Sequence, residues 1–296
     1  MAKYRDHLPQ LDGGIFLTDG GIETTLIFHE GLDLPYFAAF DLLKDRTGQA
    51  ALRRYFSSHA SIAQRHDCGF ILESPTWRAS SDWGSKLGYR AADLVEVNRQ
   101  SIALLADLRR TFETAKAPMV ISGCVGPRGD GYQAGEAMTA EEAQAYHTLQ
   151  IEAFAESEAD MITAITMTNV PEAVGVTRAG QAAGMPVVIS FTVETDGRLP
   201  SGDTLKDAIA AVDAATGDGP AYYMINCAHP DHFAEALVAG EAWVRRIRGL
   251  RANASRLSHA ELDEAEELDD GNPEELSQQY RALWAKLGHI TVMGGC

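Results

Sequence analysis

The stretch Ala221-Tyr222-Tyr223-Met224-Ile225-Asn226-Cys227 reads as an apolar β-strand whose C-terminal end delivers a cysteine. The last six residues, Thr291-Val292-Met293-Gly294-Gly295-Cys296, have the same form: a short strand, two glycines and a thiol. Chain ends are usually frayed and chemically idle, so a thiol on a glycine turn at that place needs a reason. Two thiols at the ends of two strands suggest a metal or sulfur site built on one rim of a barrel.

Outward from these two segments, short β-branched runs alternate with longer amphipathic stretches. Strands are expected at 15–19, 70–73, 119–122, 161–165, 187–193, 222–226, 247–252 (the weakest) and 289–293. Helices are expected at 49–66, 91–114, 140–157, 171–183, 204–215, 232–237 and 273–287. Helix-start signals support several: Thr139 precedes Glu141-Glu142, Asn169 precedes Pro171, and Asn272 precedes Pro273-Glu274-Glu275. Gly184-Met185-Pro186 closes one helix before the next strand. Eight strands alternating with helices argue for a parallel sheet, and that count at this length favours a closed (β/α)8 TIM barrel, one domain over residues 1–296. A doubly wound open sheet is the alternative, but no strand runs into G-x-G-x-x-G or a P-loop. No sequence remains after the eighth strand for an eighth helix. The expectation is a barrel lacking or shortened at its last helix, with coverage of the gap by an N-terminal segment as the alternative.

Composition sets outer bounds. The 296 residues are 45% apolar and 23% charged, ordinary for a globular chain, and the formal net charge of -17 disfavours nucleic acid and anionic membranes as partners. No stretch approaches the roughly 20 apolar residues of a membrane span, and Met1-Ala2-Lys3-Tyr4-Arg5-Asp6 lacks an apolar signal core, so a cytoplasmic location is expected. Four cysteines, Cys68, Cys124, Cys227 and Cys296, are too few and too scattered for a disulfide scaffold. In a reducing compartment, metal binding or reactivity becomes the reason for a cysteine at a strand end. Cys68 reads instead as a small buried hydrophobe, and Cys124 as a thiol near the mouth but too far in strand order to share a metal with the other two. The acidic run from Ser258 to Glu275 reads as a solvated helix and loop, with a lid over the barrel mouth as the functional alternative.

In this architecture the working residues sit at the C-terminal ends of strands. Those ends carry Asp19-Gly20-Gly21-Ile22-Glu23-Thr24, Glu73-Ser74-Pro75-Thr76-Trp77, Cys124-Val125-Gly126-Pro127, Glu194-Thr195, Asn226-Cys227 and Gly294-Gly295-Cys296. Carboxylates and thiols on one rim, with glycines that permit close backbone approach, suit a small cationic ligand and a soft metal. His229, bracketed by Ala228 and Pro230, reads as a loop or capping histidine.

These motifs, in this order along the whole chain, resemble the homocysteine S-methyltransferases, zinc-dependent barrels that methylate homocysteine to methionine. The resemblance rests on Asp19-Gly20-Gly21 followed by Thr24 or Thr25, Gly126-Pro127, Ser190-Phe191-Thr192, Asn226-Cys227 and Gly294-Gly295-Cys296. It implies Zn2+ on Cys227 and Cys296, with the family's third thiol falling where the chain ends, and a substrate role for Asn226 beside them. It also implies that Asp19, Gly20 and Gly21 hold the amino and carboxylate groups of homocysteine. A glutamate that often ends the fourth strand of the family stands here as Ile165, within Ala164-Ile165-Thr166, so Glu73 or Glu194 is the expected substitute.

The implied chemistry accounts for the residue types. A free thiol with a pKa of about 8.5 is mostly protonated at neutral pH and a poor nucleophile. Coordination to zinc removes that proton, and a catalytic zinc keeps one open position for the substrate sulfur. The thiolate then displaces a methyl group in line from a sulfonium donor such as S-methylmethionine or S-adenosylmethionine, or from a betaine-type donor. Trp77 and Tyr132 are the aromatic candidates for that cation. The partners are thus homocysteine and a methylated small molecule, and homo-oligomer formation is left open. Two other readings stand beside this one: a catalytically impaired barrel that binds a sulfur amino acid or metal without turnover, and a lyase or hydrolase using Asp19 and Glu73 as an acid/base pair.

Overall fold

Eight short segments of alternating inward and outward side chains pair in parallel, each with its neighbour in sequence. In the computed structural model, which describes residues 1–132, 138–264 and 268–296, they close into a barrel. The strands are β1 (Phe16–Leu17), β2 (Gly69–Glu73), β3 (Met119–Val125), β4 (Met161–Met167), β5 (Val187–Phe191), β6 (Tyr222–Asn226), β7 (Ile247–Ala252) and β8 (Val292–Gly295). Closure runs through Phe16 opposite Val292 and Leu17 opposite Met293. The (β/α)8 expectation is met. The eighth strand begins three residues later than expected, because Ile290 N–H closes a turn onto the Leu287 carbonyl across Gly288-His289.

Between strands lie α1 (Arg46–Arg65), α2 (Ala91–Phe112), α3 (Ala140–Ala155), α4 (Val170–Ala182), α5 (Leu205–Thr216), α6 (Pro230–Phe233), α7 (His259–Asp263) and α8 (Pro273–Lys286). The expected caps form. Thr139 accepts from the Glu142 N–H, Asn169 from Glu172, and Asn272 from Glu274 and Glu275, each satisfying donors that a helix start leaves open. The helix expected at 232–237 is instead the single turn α6, started earlier by His229, which accepts from the Asp231 N–H just ahead of Pro230. The capping role expected of His229 is therefore the one it plays.

Register shows how the barrel interior is graded. Strand alternation points Phe16, Ile71, Val120, Met161, Val188, Tyr222, Met224 and Val292 inward, and they form one apolar cluster across the lower barrel. Two residues on, the inward positions turn polar: Thr18, Glu73, Ser122, Thr163, Ser190, Asn226 and Arg251, all buried. The outward faces pack under the helices in the larger cluster that includes Leu72, Ile121, Ile162, Ile189 and Ile225. The N-terminal segment closes the barrel floor. Leu8 joins the lower cluster, and the Gln10 amide reaches the Tyr222 hydroxyl at 3.3 Å. A buried Arg109–Asp160 pair at 2.7 Å anchors the same end, where Asp160 also accepts from the Lys3 and Tyr4 N–H groups.

Cys68 departs from its expected burial. It is partly exposed, because the chain turns through left-handed Asp67 there and the thiol faces the His66 carbonyl at the surface. Among the described residues, no helix is long and apolar enough to cross a membrane.

Gly123 on β3 faces outward onto α3, and a Cβ there would lie 2.5 Å from the Phe154 ring. Gly123→Ala should therefore destabilise the fold by about 1–3 kcal/mol through overpacking. Urea denaturation of the variant against the parent chain measures this, and an unchanged midpoint would contradict the packing described.

Candidate active site at the barrel mouth

The polar upper layer ends in a mouth where the strand ends of β1, β2, β6, β7 and β8 meet. Cys227 follows Asn226 at the end of β6, and Cys296 follows Gly295 at the end of β8. Their Cα atoms are 5.2 Å apart and their sulfurs are joined in a disulfide. The convergence inferred from two strand-end cysteines is thus present, although β7 lies between their strands. Among the described residues, no third histidine, cysteine, aspartate or glutamate joins them in a cluster able to hold a metal.

Asn226 aims Cys227. Its side-chain oxygen accepts from the Thr166 N–H (3.0 Å) and the Ser190 hydroxyl (2.6 Å), and its amide donates to the Thr166 hydroxyl (3.0 Å) and the Cys227 sulfur (3.1 Å). One fully buried amide therefore ties the ends of β4, β5 and β6 together, with every polar position engaged by protein. Both Thr166 (φ 63°) and Cys227 (φ 51°) are held in the left-handed region, a conformation that costs non-glycine residues about 1–3 kcal/mol and persists only where surroundings impose it. The Asn226 side chain bonds to both residues, and the Arg251 carbonyl holds the Cys227 N–H. The Tyr132 hydroxyl lies 3.8 Å from the same sulfur.

Above Cys227 sits His259, from the acidic stretch after β7. Its Nε2 is 2.5 Å from the Cys227 carbonyl oxygen, its Nδ1 is 3.0 Å from Glu194 Oε1, and its ring packs on Tyr132 with centroids 4.4 Å apart. His259, near the start of that stretch, therefore packs against the thiol end of the mouth, whereas residues 269–274 are exposed. Residues 265–267 of the same run lie outside the described residues. Glu194 meets this histidine at the rim and stays one-third exposed.

A second cluster fills the β1–β2–β7 side. The Arg251 guanidinium donates to Asp19 Oδ1 at 2.7 Å and to the Gly295 carbonyl at 3.2 Å, with Glu73 Oε2 3.5 Å from its Nη1. The Tyr55 hydroxyl donates to Asp19 Oδ2 at 3.1 Å. Asp19, Glu73 and Arg251 are each at most 5% exposed. Asp19 holds the guanidinium closely and leaves Glu73 the weaker claim, so burial pushes the Glu73 carboxyl up to about 7 despite Arg251. Glu23, in the helical turn Ile22–Thr24, is likewise raised to about 7, by burial first and then by the Asp19 charge. Burial, with help from Glu73, raises the Cys124 thiol well above its ordinary range.

Of the residues expected at the site, Cys227, Cys296 and Asn226 form one group, and Asp19, Gly20 and Glu73 another. Gly21 connects them, since a Cβ there would lie 3.1 Å from the Cys296 backbone. Trp77 is set apart. One face of its ring carries the Arg78 guanidinium at 3.9 Å, and that guanidinium also lies 3.7 Å from the Trp83 ring. Ile165, on the strand where the resemblance leads one to expect a glutamate, is buried, and its carbonyl accepts from the Trp77 indole at 3.4 Å. Four residues of the site were not singled out in the sequence: Arg251, Tyr55, Glu23 and His259. A period-two reading of Gly249-Leu250-Arg251 places Arg251 inward and is the signal that could have found it.

The titration of Glu73 has a stability consequence. A carboxyl ionising near 4.5 when unfolded and near 7 when folded opposes folding increasingly as pH rises between those values, by up to about 3 kcal/mol. Glu73→Gln removes that share. The melting temperature of this variant relative to the parent should rise between pH 5.5 and pH 8, and parallel profiles would contradict the burial-driven shift.

Comparison with known proteins accords with this geometry. The family model described as homocysteine S-methyltransferase matches residues 16–296. A selenocysteine Se-methyltransferase of Brassica oleracea var. italica is 26% identical over 309 residues, covering 96% of this chain and 85% of that protein. Among solved structures, the homocysteine methyltransferase MmuM from Escherichia coli shares the fold. Its metallated form superposes with a TM-score of 0.72 at 19% identity, covering 96% of this chain and 91% of that one. Its oxidised form gives the same score over 95% of this chain and 91% of that one. With the family model spanning nearly the whole sequence, the chain belongs to the homocysteine S-methyltransferase family.

Proposed function

We propose that this chain transfers a methyl group from a sulfonium donor to the thiol of L-homocysteine, giving methionine, with Zn2+ held by Cys227 and Cys296. The observation that carries the reading is the meeting of these two thiols, 69 residues apart in sequence, at the mouth. Their donor type suits zinc, and the Asn226 amide and Tyr132 hydroxyl beside the Cys227 sulfur are the outer partners that orient a thiolate ligand. Metal binding requires the pair as two thiols, so it requires a reductant. When bound, zinc supplies the acidity that deprotonates the substrate thiol at neutral pH.

The chain's own residues supply position and shelter. Asn226 orients the Cys227 sulfur, and the Arg251 carbonyl holds the Cys227 N–H. His259, latched between Glu194 and the Cys227 carbonyl, excludes water from above. Asp19, Gly20 and Gly21 form the wall on which the amino-acid end of homocysteine rests. The donor approaches beside Tyr132 and Glu194, which both meet His259 and where an aromatic ring and a carboxylate favour a cation. In the transfer the homocysteine sulfur forms a new bond to the methyl carbon as the bond from that carbon to the donor sulfur breaks. The leaving thioether takes the electron pair and departs neutral, so no proton donor is needed.

A barrel that binds a sulfur amino acid or metal without turnover is the second reading, favoured by the two-thiol donor set among the described residues. Assay of the reduced, zinc-supplied chain separates the two. With L-homocysteine and S-methylmethionine or S-adenosylmethionine, methionine should form, and Cys227→Ser should lower both zinc content and turnover by more than about 100-fold. Zinc binding with no methionine from either donor would select the second reading. Full activity in a Cys227→Ala, Cys296→Ala double variant would remove both thiols from the mechanism.

A further inference from the structure

The Arg251–Glu73 pair carries more than its structural ties explain. Arg251 reaches from β7 past β8 and β1 to Glu73 on β2, so its side chain lies over the barrel interior. Its Nη2 and Nε are engaged by Asp19 and the Gly295 carbonyl, but Nη1 is buried without a hydrogen-bond partner. Glu73 Oε1 is likewise buried and makes no hydrogen bond of good geometry, with the Ser122 and Thr163 hydroxyls the nearest donors to its carboxyl. Buried polar atoms are almost always satisfied, and a buried donor and acceptor left open on adjacent side chains indicate a ligand that completes them. The placement fits one ligand in particular. Arg251 is opposite Asn226 on one side and Gly294 on the other, and its carbonyl accepts from the Cys227 N–H, so it stands beside both thiols.

We propose that Arg251 Nη1 and Glu73 Oε1 form the receptor for the head group of the amino-acid substrate, the guanidinium taking the α-carboxylate and Glu73 the α-ammonium. The proposal rests on the homocysteine reading above and assigns two residues to its specificity. The surroundings favour it. Asp19 holds the guanidinium at 2.7 Å and Glu73 Oε2 lies 3.5 Å from Nη1, so a cation and a carboxylate stand side by side to face one head group. Homocysteine places its charged α-carbon only two methylenes from the sulfur, which matches a receptor adjacent to the cysteines.

Isothermal titration calorimetry on the reduced, zinc-supplied full chain tests this with three thiols: L-homocysteine, 4-mercaptobutanoate (no ammonium) and 3-aminopropane-1-thiol (no carboxylate). Arg251→Gln should weaken L-homocysteine and 4-mercaptobutanoate by about 30-fold and leave 3-aminopropane-1-thiol unchanged. Glu73→Gln should weaken L-homocysteine and 3-aminopropane-1-thiol and leave 4-mercaptobutanoate unchanged. Glu73→Gln conserves shape, so its arm of the test stands even if Arg251→Gln fails to fold. Equal weakening of all three thiols, or of none, overturns the receptor. If the parent chain binds with this crossed pattern but forms no methionine, methyl transfer fails and the receptor stands. If methionine forms but the crossed pattern is missing, the reverse holds.

Discussion

Arg251 carries a full positive charge at 5% exposure, and the mouth of the barrel is organised around that fact. Burying an ion costs several kcal/mol unless paired and hydrogen-bonded, so a guanidinium in this position dictates what surrounds it. Asp19 answers at 2.7 Å, and Gly295, the residue before Cys296, offers its carbonyl. Burial works against the charge, but Asp19 and Glu73 outweigh it and hold the guanidinium protonated. One side chain thereby fixes the Asp19-Gly20 turn relative to the end of β8. The Asp19–Glu73 end and the thiol end of the site are coupled through it.

The second organising group is Asn226, which does for β4, β5 and β6 what Arg251 does for β7, β8, β1 and β2. Together they clamp seven of the eight strand ends, and they face each other across one register step. This explains how two left-handed non-glycine residues, Thr166 and Cys227, are tolerated at the rim. The inward-facing cluster of the lower barrel is apolar, and the buried Arg109–Asp160 pair at that end is not part of it. Stability and chemistry are therefore separated by height within a single barrel, a few residues apart on each strand.

Much of this was legible in the sequence because it is local. Strand and helix alternation, the caps at Thr139, Asn169 and Asn272, and the two strand-end cysteines each depend on neighbours within a few residues. What stayed hidden depends on partners far away. Arg251 meets Asp19 across 232 positions, His259 meets Glu194 across 65, and Tyr55 meets Asp19 across 36. No composition or periodicity encodes such meetings. Glu23 was quoted as part of a motif, yet its perturbed titration follows only from burial beside Asp19. Trp77 shows the converse: an aromatic at a strand end suggested a cation site, and the cation on its ring is the neighbouring Arg78.

The central claim is that the Cys227 and Cys296 sulfurs and the substrate sulfur share one metal ion. X-ray absorption at the zinc edge of the reduced, zinc-supplied chain, recorded with and without L-homocysteine, tests it directly. The account predicts that the amino acid adds one sulfur neighbour at about 2.3 Å. An unchanged sulfur shell, with L-homocysteine bound by calorimetry, would contradict it.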